Sequence, residues 1–233
     1  MPSPDCPLCE QAASSLWHTE TRKPLQGREF WRCHLCGLVF VPAEFHLDGA
    51  AEKQVYELHE NNPDDPGYRR FLNQLLQPLL PFLEALKNQR GRPLQGLDFG
   101  CGPGPTLSLM LQEAGFLCTD YDPYFAPVPH WQQPYDFIVS TEVFEHLSRP
   151  GLVLEQLSSC LQEDGLLVIM TQRPRDLEAF RRWHYLLDPT HITFFSDASL
   201  DWISQNWPLR EVYRGKAVVI LKRLACEGKM VSV

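Results

Sequence analysis

The stretch that decides the fold is Leu97-Asp98-Phe99-Gly100-Cys101-Gly102-Pro103-Gly104. An acidic residue follows a short apolar run, and three glycines then stand at alternate positions before a helix-like segment that opens at Pro105 and Thr106. Glycine permits positive φ and lets a ligand approach the backbone closely. A helix N-terminus adds unpaired N–H groups. The pattern therefore predicts a strand, a tight glycine turn and a helix that together bind a small ligand.

The glycine spacing argues against a nicotinamide dehydrogenase. The dinucleotide fingerprint is G-x-G-x-x-G, whereas here the third glycine comes one residue earlier and Pro105 follows it. Asp98 stands two residues before the first glycine, where its carboxylate would repel a pyrophosphate and favour a cationic or amine-bearing ligand. We therefore expect a ligand other than a dinucleotide.

Strands and helices are predicted to alternate after this loop, as in α/β proteins. We predict strands over 97–99, 116–121, 135–140 and 165–171, and an antiparallel pair over 209–213 and 217–222. Helices are predicted over 106–114, 150–161, 177–186 and 197–205, the last with Ser196 as N-cap. The stretch 68–86 has helical apolar spacing, and we expect Pro78 and Pro81 to kink or break it.

Two stretches resemble the class I S-adenosylmethionine-dependent methyltransferases. The D-x-G-x-G-x-G arrangement at 98–104 is similar to the first motif of that family, and YDFIVSTEVFEHL at 135–147 resembles its fourth strand and following turn. The resemblance covers roughly residues 68–222. It implies methyl transfer from S-adenosylmethionine and a Rossmann-like, doubly wound, mostly parallel seven-stranded sheet with an antiparallel C-terminal strand.

Asp122 is the candidate that would hold the cofactor's ribose. It comes 18 residues after Gly104, at the predicted end of the second strand, and a carboxylate offers two acceptor oxygens to two vicinal hydroxyls. Asp120 is a nearby rival, and an Asp-Pro turn is the structural alternative. With the resemblance, the predicted cofactor-binding residues are Asp98, Gly100, Cys101, Gly102, Gly104, Asp122, Pro123, Ser140, Thr141 and Glu142.

One departure from the family lies between the second and third predicted strands. Only 12 residues, 124–135, span a gap where relatives usually place another strand and an acid that contacts the adenine. The gap contains no carboxylate. Adenine recognition would then rest on backbone groups, on Gln132 or Gln133, and on packing by Tyr124 or Trp131.

The N-terminal region contains two C-x-x-C pairs separated by 23 residues, namely Cys6 with Cys9 and Cys33 with Cys36. Each pair places two thiolates on one turn, and two such turns complete a tetrahedral zinc site with four cysteine ligands. We predict a small zinc ribbon whose metal is structural, because four thiolates leave no open position. His18 and His34 are alternative ligands.

The segment 182–196, RWHYLLDPTHITFFS, concentrates aromatic residues and two histidines in a predicted loop beyond the fifth strand. It resembles the W-x-Y-x-x-D-P-T-H-x-x-F-F stretch of a methyltransferase subfamily, some of whose members carry an N-terminal zinc-binding segment. Imidazole titrates in the range that suits a general base. His191 is the first catalytic candidate, His184 the second, and His146 of the Glu145–His146 pair the third. The alternative is that these histidines only fix their loops.

Length and charge limit the function classes. At 233 residues the chain is long enough for one domain with an appendage, and we divide it into a ribbon at 1–45, a linker and helical lid at 46–90, and a methyltransferase domain at 91–233. The net charge of −8 argues against tight, non-specific nucleic-acid binding, although Arg173, Arg175, Arg181 and Arg182 form a basic cluster.

We expect a cytoplasmic protein. The first ten residues lack the features of a signal peptide, and no apolar run is long enough to span a membrane. Cys101, Cys118, Cys160 and Cys226 are scattered as expected for reduced core thiols.

The predicted partner is a small-molecule methyl acceptor. An RNA or protein methyltransferase with a docking ribbon, and a non-catalytic scaffold, are the alternatives, and the oligomeric state is open.

Overall fold

The computed structural model describes residues 3–58, 61–128, 131–174 and 176–225. Arg175 and Cys226, named above, lie outside these ranges. The strands are β1 Ser14–Thr19, β2 Glu29–Cys33, β3 Val39–Phe40, β4 Gln95–Phe99, β5 Leu117–Tyr121, β6 Tyr135–Thr141, β7 Leu161–Met170, β8 Thr193–Phe194, β9 Leu209–Arg214 and β10 Val218–Arg223. The α-helices are α1 Gly49–Tyr56, α2 Pro66–Arg90, α3 Thr106–Glu113, α4 Pro150–Cys160, α5 Leu177–Arg182 and α6 Asp197–Asn206. Short 3₁₀ helices span Ala43–Phe45, Phe144–His146 and His184–Leu187.

The larger sheet has the strand order β5-β4-β6-β7-β10-β9. Strands β4 to β7 are parallel, while β10 is antiparallel to both β7 and β9. The α/β class and the antiparallel C-terminal strand are thus confirmed. In the described residues the sheet has six strands rather than the predicted seven. The connection from β5 to β6 already has to cross over β4, and its few residues leave no room for another strand with its helices.

The smaller sheet has the order β1-β2-β3-β8, and all its pairs are antiparallel. Its last strand comes from far along the chain, with Val39 paired to Phe194 and Phe40 to Thr193. The N-terminal ribbon is therefore completed by a strand that follows the DPTH segment at 188–191. This joins the N-terminal residues to the loop that carries His191.

Helix α2 runs unbroken through Pro78 and Pro81, so the expected break does not occur. One face buries leucines, at Leu72, Leu75, Leu76, Leu79, Leu83 and Leu86. The two prolines deprive only the carbonyls of Gln74 and Gln77 of a helical partner, and both residues are exposed to solvent. Burial of the leucine face therefore outweighs the loss of two hydrogen bonds.

The remaining helices follow the sequence pattern with two differences. Helix α6 begins after Ser196, whose hydroxyl accepts from the Ser199 N–H, as predicted. The stretch predicted as one helix over 177–186 is divided into α5 and a 3₁₀ turn. Helix α1 lies in the region expected to be linker or lid, capped by the Asp48 carboxylate.

In the part of the chain that the structure describes, no helix combines the length and hydrophobicity that a membrane crossing requires.

Candidate active site and metal centre

A cavity of about 750 Å³ lies at the carboxyl ends of β4, β5 and β6. Its walls also include α1, the segment around Asn61, the start of α2 and residues 188–192. The ends of parallel strands are where α/β sheets bind ligands. The volume lies within the range of small-molecule and cofactor sites.

The structure brings most of the predicted site residues together in this cavity. Those that line it are Asp98, Gly100, Cys101, Gly102, Asp122, Pro123, Thr141, Glu142, His146 and His191. Three others do not line it: Gly104, Ser140 and His184. The Ser140 hydroxyl is buried and donates to the Phe99 carbonyl 3.0 Å away, so it joins β6 to β4. His184 lies in a second groove, described below.

The glycines of the loop serve two different purposes. Gly100 has φ +81°, and a Cβ there would lie 2.4 Å from a methyl of Val143, so only glycine allows the turn. A Cβ on Gly104 would lie 1.9 Å from the Asn61 carbonyl oxygen. Gly104 therefore makes room for the chain segment that covers the loop.

Asp122 is oriented by backbone donors. Its Oδ1 accepts from the N–H groups of Tyr124 at 2.8 Å and Phe125 at 3.1 Å, and its Oδ2 accepts from the N–H of Gly102 at 3.1 Å. A carboxylate oxygen accepts about two hydrogen bonds, so Oδ2 retains one free acceptor position. Asp122 therefore stabilises the Asp-Pro turn, which was the alternative interpretation of this residue. It also presents a hydrogen-bond acceptor at the cavity wall.

Asp98 is a carboxyl group without a basic partner. It is 3% exposed, and among the described residues it forms no salt bridge. Burial, helped by the charges of Asp120 and Asp122, raises its pKa to about 8. A buried charge needs a counter-charge. A cationic ligand would supply it.

The charged side chains in the described lining of the cavity, histidines aside, are all acidic. This lining contains no lysine or arginine, and its carboxyl groups belong to Glu52, Asp98, Asp122, Glu142 and Asp188. Such a wall attracts cations and repels anions. Glu52 was missed by the sequence analysis, because the hydrogen bonds that its carboxylate accepts from the hydroxyls of Tyr56 and Tyr124 depend on where α1 folds.

A hydrogen-bonded acid cluster lies beside the cavity. The Tyr185 hydroxyl donates to Glu142 at 3.1 Å and also contacts Glu145, which is fully buried. The Thr171 hydroxyl donates to the second oxygen of Glu145 at 2.9 Å. Burial, with the nearby charge of Glu145, raises the pKa of Glu142 to about 8. The Tyr185 hydroxyl thus forms a polar contact between two carboxyl groups.

Two of the three histidines that line the cavity, His146 and His191, each have one ring nitrogen next to a backbone carbonyl. His191 Nδ1 lies 2.8 Å from the Tyr185 carbonyl, and His146 Nδ1 lies 3.1 Å from the Thr190 carbonyl. A carbonyl only accepts, so each Nδ1 carries a hydrogen, and in the neutral ring of His191 the lone pair is on Nε2. Burial, followed by the neighbouring His146, lowers the pKa of His191. His191 is therefore a neutral base at pH 7, with Asp188 Oδ2 3.7 Å from its Nε2.

Glu145, His146 and His191 also have ligand atoms within 4.8 Å of one another, close enough for a metal ion. Both oxygens of Glu145 already accept hydrogen bonds from Tyr185 and Thr171. The arrangement therefore favours a proton-transfer site over a metal site.

A buried arginine of the ribbon holds the loop that carries His191. The Arg28 guanidinium donates to the carbonyls of Asp188 at 3.0 Å, Pro189 at 3.1 Å and His191 at 2.8 Å. Arg28 is 3% exposed. These charge-assisted bonds connect the N-terminal sheet directly to the cavity wall.

The four predicted zinc ligands converge at one end of the N-terminal sheet. Cys6 Sγ lies 3.4 Å from Cys36 Sγ, Cys9 Sγ lies 3.5 Å from Cys33 Sγ, and all four sulfurs are within 4.8 Å of one another. Zn–S bonds of about 2.3 Å in a tetrahedron separate the sulfurs by about 3.8 Å. The cluster is therefore compatible with a zinc ribbon, and neither His18 nor His34 belongs to it.

The aromatic residues proposed for adenine occupy different places. Tyr124 lines the cavity, whereas Trp131 packs on Phe99 and Tyr121 behind the wall. The Gln133 side chain donates to the Tyr135 hydroxyl at 3.2 Å. Of these candidates, Tyr124 is the one that the structure places at the cavity.

Residues 68–208 match a family model described as a methyltransferase domain. Magnesium protoporphyrin IX methyltransferase from Synechocystis PCC 6803, solved with bound S-adenosylmethionine, is 14% identical, with 77% of this chain and 93% of that chain covered and a TM-score of 0.47. A Burkholderia thailandensis 1,6-didemethyltoxoflavin N1-methyltransferase is 15% identical, with 81% and 96% covered and a TM-score of 0.44. No curated protein matches the chain significantly.

Proposed function

Because the chain belongs to the methyltransferase-domain family, we propose that it transfers a methyl group from S-adenosylmethionine to a small-molecule acceptor. The observation that carries this proposal is the cavity in which a glycine loop, an oriented Asp122, the buried Asp98 and the base His191 meet. When bound, S-adenosylmethionine supplies an electrophilic methyl group on a sulfonium.

The cofactor half of the cavity is assigned to the ends of β4 and β5. Asp98 provides the counter-charge for the cationic methionine end, and the free acceptor position of Asp122 Oδ2 takes a ribose hydroxyl. Gly100 and Gly102 hold the backbone close to the ligand. Tyr124 and the neighbouring backbone are left for the adenine.

The acceptor half is assigned to the histidine side of the cavity. With S-adenosylmethionine bound, an acceptor hydroxyl or amine would displace the sulfonium leaving group from the methyl carbon, and His191 Nε2 would accept the proton that this acceptor loses. The neutral imidazole is ready to accept this proton because its pKa is lowered. Asp188 then stabilises the imidazolium. His146, whose ring centroid is 4.7 Å from that of His191, keeps the base in place.

The shape and charge of the cavity favour a small acceptor. The cavity is covered by α1 and by the loop that Arg28 fixes, and its acidic lining repels phosphates and carboxylates. We therefore propose an acceptor that is neutral or cationic where it is methylated. The same acidic lining would repel a long polyanion such as RNA.

The N-terminal cluster of four cysteines is proposed to hold one structural zinc ion. Four thiolates complete its coordination, so its role is to stabilise the sheet β1-β2-β3-β8. The division into a ribbon at 1–45, a covering region at 46–90 and a catalytic domain at 91–233 belongs to the same proposal. Through β8 and Arg28 the ribbon supports the acceptor side.

The cofactor assignment is tested by calorimetric titration of the zinc-loaded protein with S-adenosylhomocysteine. We expect binding by the unmodified protein and about thirtyfold weaker binding by Asp122→Asn, because a charge-assisted hydrogen bond contributes about 2 kcal/mol. Asp120→Asn is the matched control, since Asp120 is two residues away and does not line the cavity. Equal losses in both variants, or no binding by the unmodified protein, would favour the scaffold alternative.

His191→Ala is expected to lower turnover at least tenfold and to leave cofactor affinity within about twofold. A general base contributes roughly a hundredfold or more, and a neighbouring water can replace part of it. The measurement compares kcat for methylation of an accepted substrate with the calorimetric Kd for S-adenosylhomocysteine. His184→Ala is the control, because His184 lies in the second groove. Unchanged turnover in His191→Ala would assign this residue to structure.

A further inference from the structure

A second groove of about 930 Å³ lies outside the proposed cofactor cavity. It runs between β2 of the ribbon, the residues after β7, the end of α5 and the β9–β10 turn. The stacked rings of Trp183 and Tyr185, 4.6 Å apart, stand between the two sites, with Trp183 lining the groove and Tyr185 beside the acid cluster.

The groove is basic although the protein is acidic. Arg32, Arg173, Arg182 and Lys216 line it against one carboxylate, Asp197. Asp197 is already paired, with Arg173 at 3.0 Å and Arg214 at 3.7 Å. Among the residues that the structure describes, Arg32, Arg182 and Lys216 form no salt bridge with an acid. In a chain of net charge −8, these cations mark a local site for an anion.

Arg173 provides an independent sign that a ligand belongs here. Its side chain is 9% exposed, its Nε faces Asp197, and its Nη2 donates to the Gly215 carbonyl. Its Nη1 is buried and has no hydrogen-bond partner among the described residues. Buried donors are rarely left unpaired, because desolvation without a hydrogen bond is costly. An acceptor oxygen from a ligand in the groove would pair this nitrogen.

The N-terminus of α6 adds to the positive field. Ser196, Asp197 and Ala198, at the start of this ten-residue helix, line the same groove. The start of a helix favours negative charge. The guanidinium groups and the helix end together suit the tetrahedral oxygens of a phosphoryl group.

We propose that this groove binds the phosphoryl group of a small ligand, at a site separate from the methyl-transfer cavity. Arg173 Nη1 donates to one phosphoryl oxygen, while Arg182 and Lys216 neutralise the charge at the open side. The groove's volume of about 930 Å³ is in the range of sites for small molecules, so the ligand is small. The inference does not depend on the proposed methyl transfer.

The test is a calorimetric titration of the full-length, zinc-loaded protein with inorganic pyrophosphate and with ADP, at low ionic strength. We expect both to bind, and the double variant Arg182→Ala/Lys216→Ala to bind at least about tenfold more weakly, since hydrogen bonds to charged groups are strong. Both side chains are exposed, so the fold is retained. Arg181→Ala is the matched control, because Arg181 is adjacent but does not line the groove. Its affinity should stay within about twofold of that of the unmodified protein.

The two probes distinguish the sources of the phosphoryl group. Equal affinity for pyrophosphate and ADP means that the phosphates alone are recognised, and tighter binding of ADP means that the groove also accepts a nucleoside. No saturable binding, or equal losses in the double variant and in Arg181→Ala, would overturn the proposal. A single-stranded RNA oligonucleotide that binds far more tightly than ADP, with loss in Arg181→Ala too, would replace it with nucleic-acid docking.

Discussion

Cys36→Ser is expected to release the proposed zinc ion and to lower the melting temperature by roughly 10 °C. Structural zinc contributes directly to folding free energy, and a loss of about 3 kcal/mol corresponds to a shift of this size in a chain of this length. The measurements are zinc content by elemental analysis and thermal unfolding, with the unmodified protein treated with a chelator as a second route to the same state.

The expected cost is large because the cysteine cluster is part of the main core. Cys6, Cys33 and Cys36 are buried in one cluster with Leu97 and Ile138 of the central sheet. A Cβ on Gly151 at the start of α4 would lie 2.6 Å from the Leu8 carbonyl oxygen, so the turn between Cys6 and Cys9 is in close contact with the methyltransferase domain. Loosening the ribbon therefore exposes core surface rather than a detached appendage.

Loss of zinc should also affect the half of the cavity that is assigned to the methyl acceptor. The ribbon carries Arg28, whose three hydrogen bonds hold the backbone of residues 188–191, and β3 pairs with β8 just beyond them. If methyl transfer occurs as proposed, kcat should fall more than cofactor affinity, because Asp98 and Asp122 belong to other elements. Cys160→Ser is the matched control, since Cys160 is buried but lies outside the four-cysteine cluster.

Two results would contradict this account. The first is an unmodified protein that contains no zinc when freshly purified without chelators. The second is a zinc-free protein with unchanged melting temperature and turnover. In contrast, a Cys36→Ser variant that loses zinc while Cys160→Ser retains it would establish the cluster as the metal site.

The parts of the site that sequence alone could predict are those that local chemistry determines. A turn at Gly100 with positive φ accepts only glycine, and a metal-binding turn needs its two cysteines at fixed spacing, so both can be predicted from neighbouring residues. Ser196 as N-cap of α6 is of the same kind. The position of Asp122 at the cavity wall could be predicted because a strand end lies at a regular distance from the glycine loop.

The features that sequence could not predict depend on contacts between distant residues. Arg28 meets the carbonyl of His191 across 163 positions, and Asn61 covers Gly104. Neither residue type nor local spacing indicates these contacts. The short gap before β6 indicated that the described sheet has six strands. The prediction of seven strands followed the family resemblance instead. Helix α1 has little apolar periodicity, because it is stabilised at the cavity by Glu52 and Tyr56.

Asp98→Asn is expected to weaken S-adenosylmethionine binding by about a hundredfold at pH 8, again if the proposed cofactor is correct. Removing one partner of a buried charge pair costs roughly 2–5 kcal/mol. The amide has nearly the same size as the carboxyl group, so the fold should be retained. Because a raised pKa means that burial disfavours the carboxylate, the variant should be at least as stable as the unmodified protein at pH 7.

The pH dependence of binding identifies the role of this carboxyl group more sharply than the loss of affinity does. With a pKa of about 8, Asp98 is mostly protonated at pH 6 to 7, so a cationic ligand must displace a proton. Affinity should therefore rise with pH by up to about tenfold per unit until it levels near pH 8. The slope should flatten in Asp98→Asn and persist in Asp120→Asn, whose carboxyl pKa is also raised but which does not line the cavity.

Glu142 is the one other described cavity carboxyl group with a pKa raised to about 8, and it could release the same proton. The two single variants distinguish Asp98 from Glu142 as the source of the proton. If Asp98→Asn loses affinity but keeps the full slope, the displaced proton belongs to Glu142, and Glu142→Gln should then abolish the slope. If both single variants halve the number of protons released, measured by calorimetry in two buffers of different ionisation enthalpy, both carboxyl groups ionise on binding. If the slope is unchanged in both variants, the ligand cation is neutralised elsewhere. The assignment of Asp98 as its counter-charge would then be wrong.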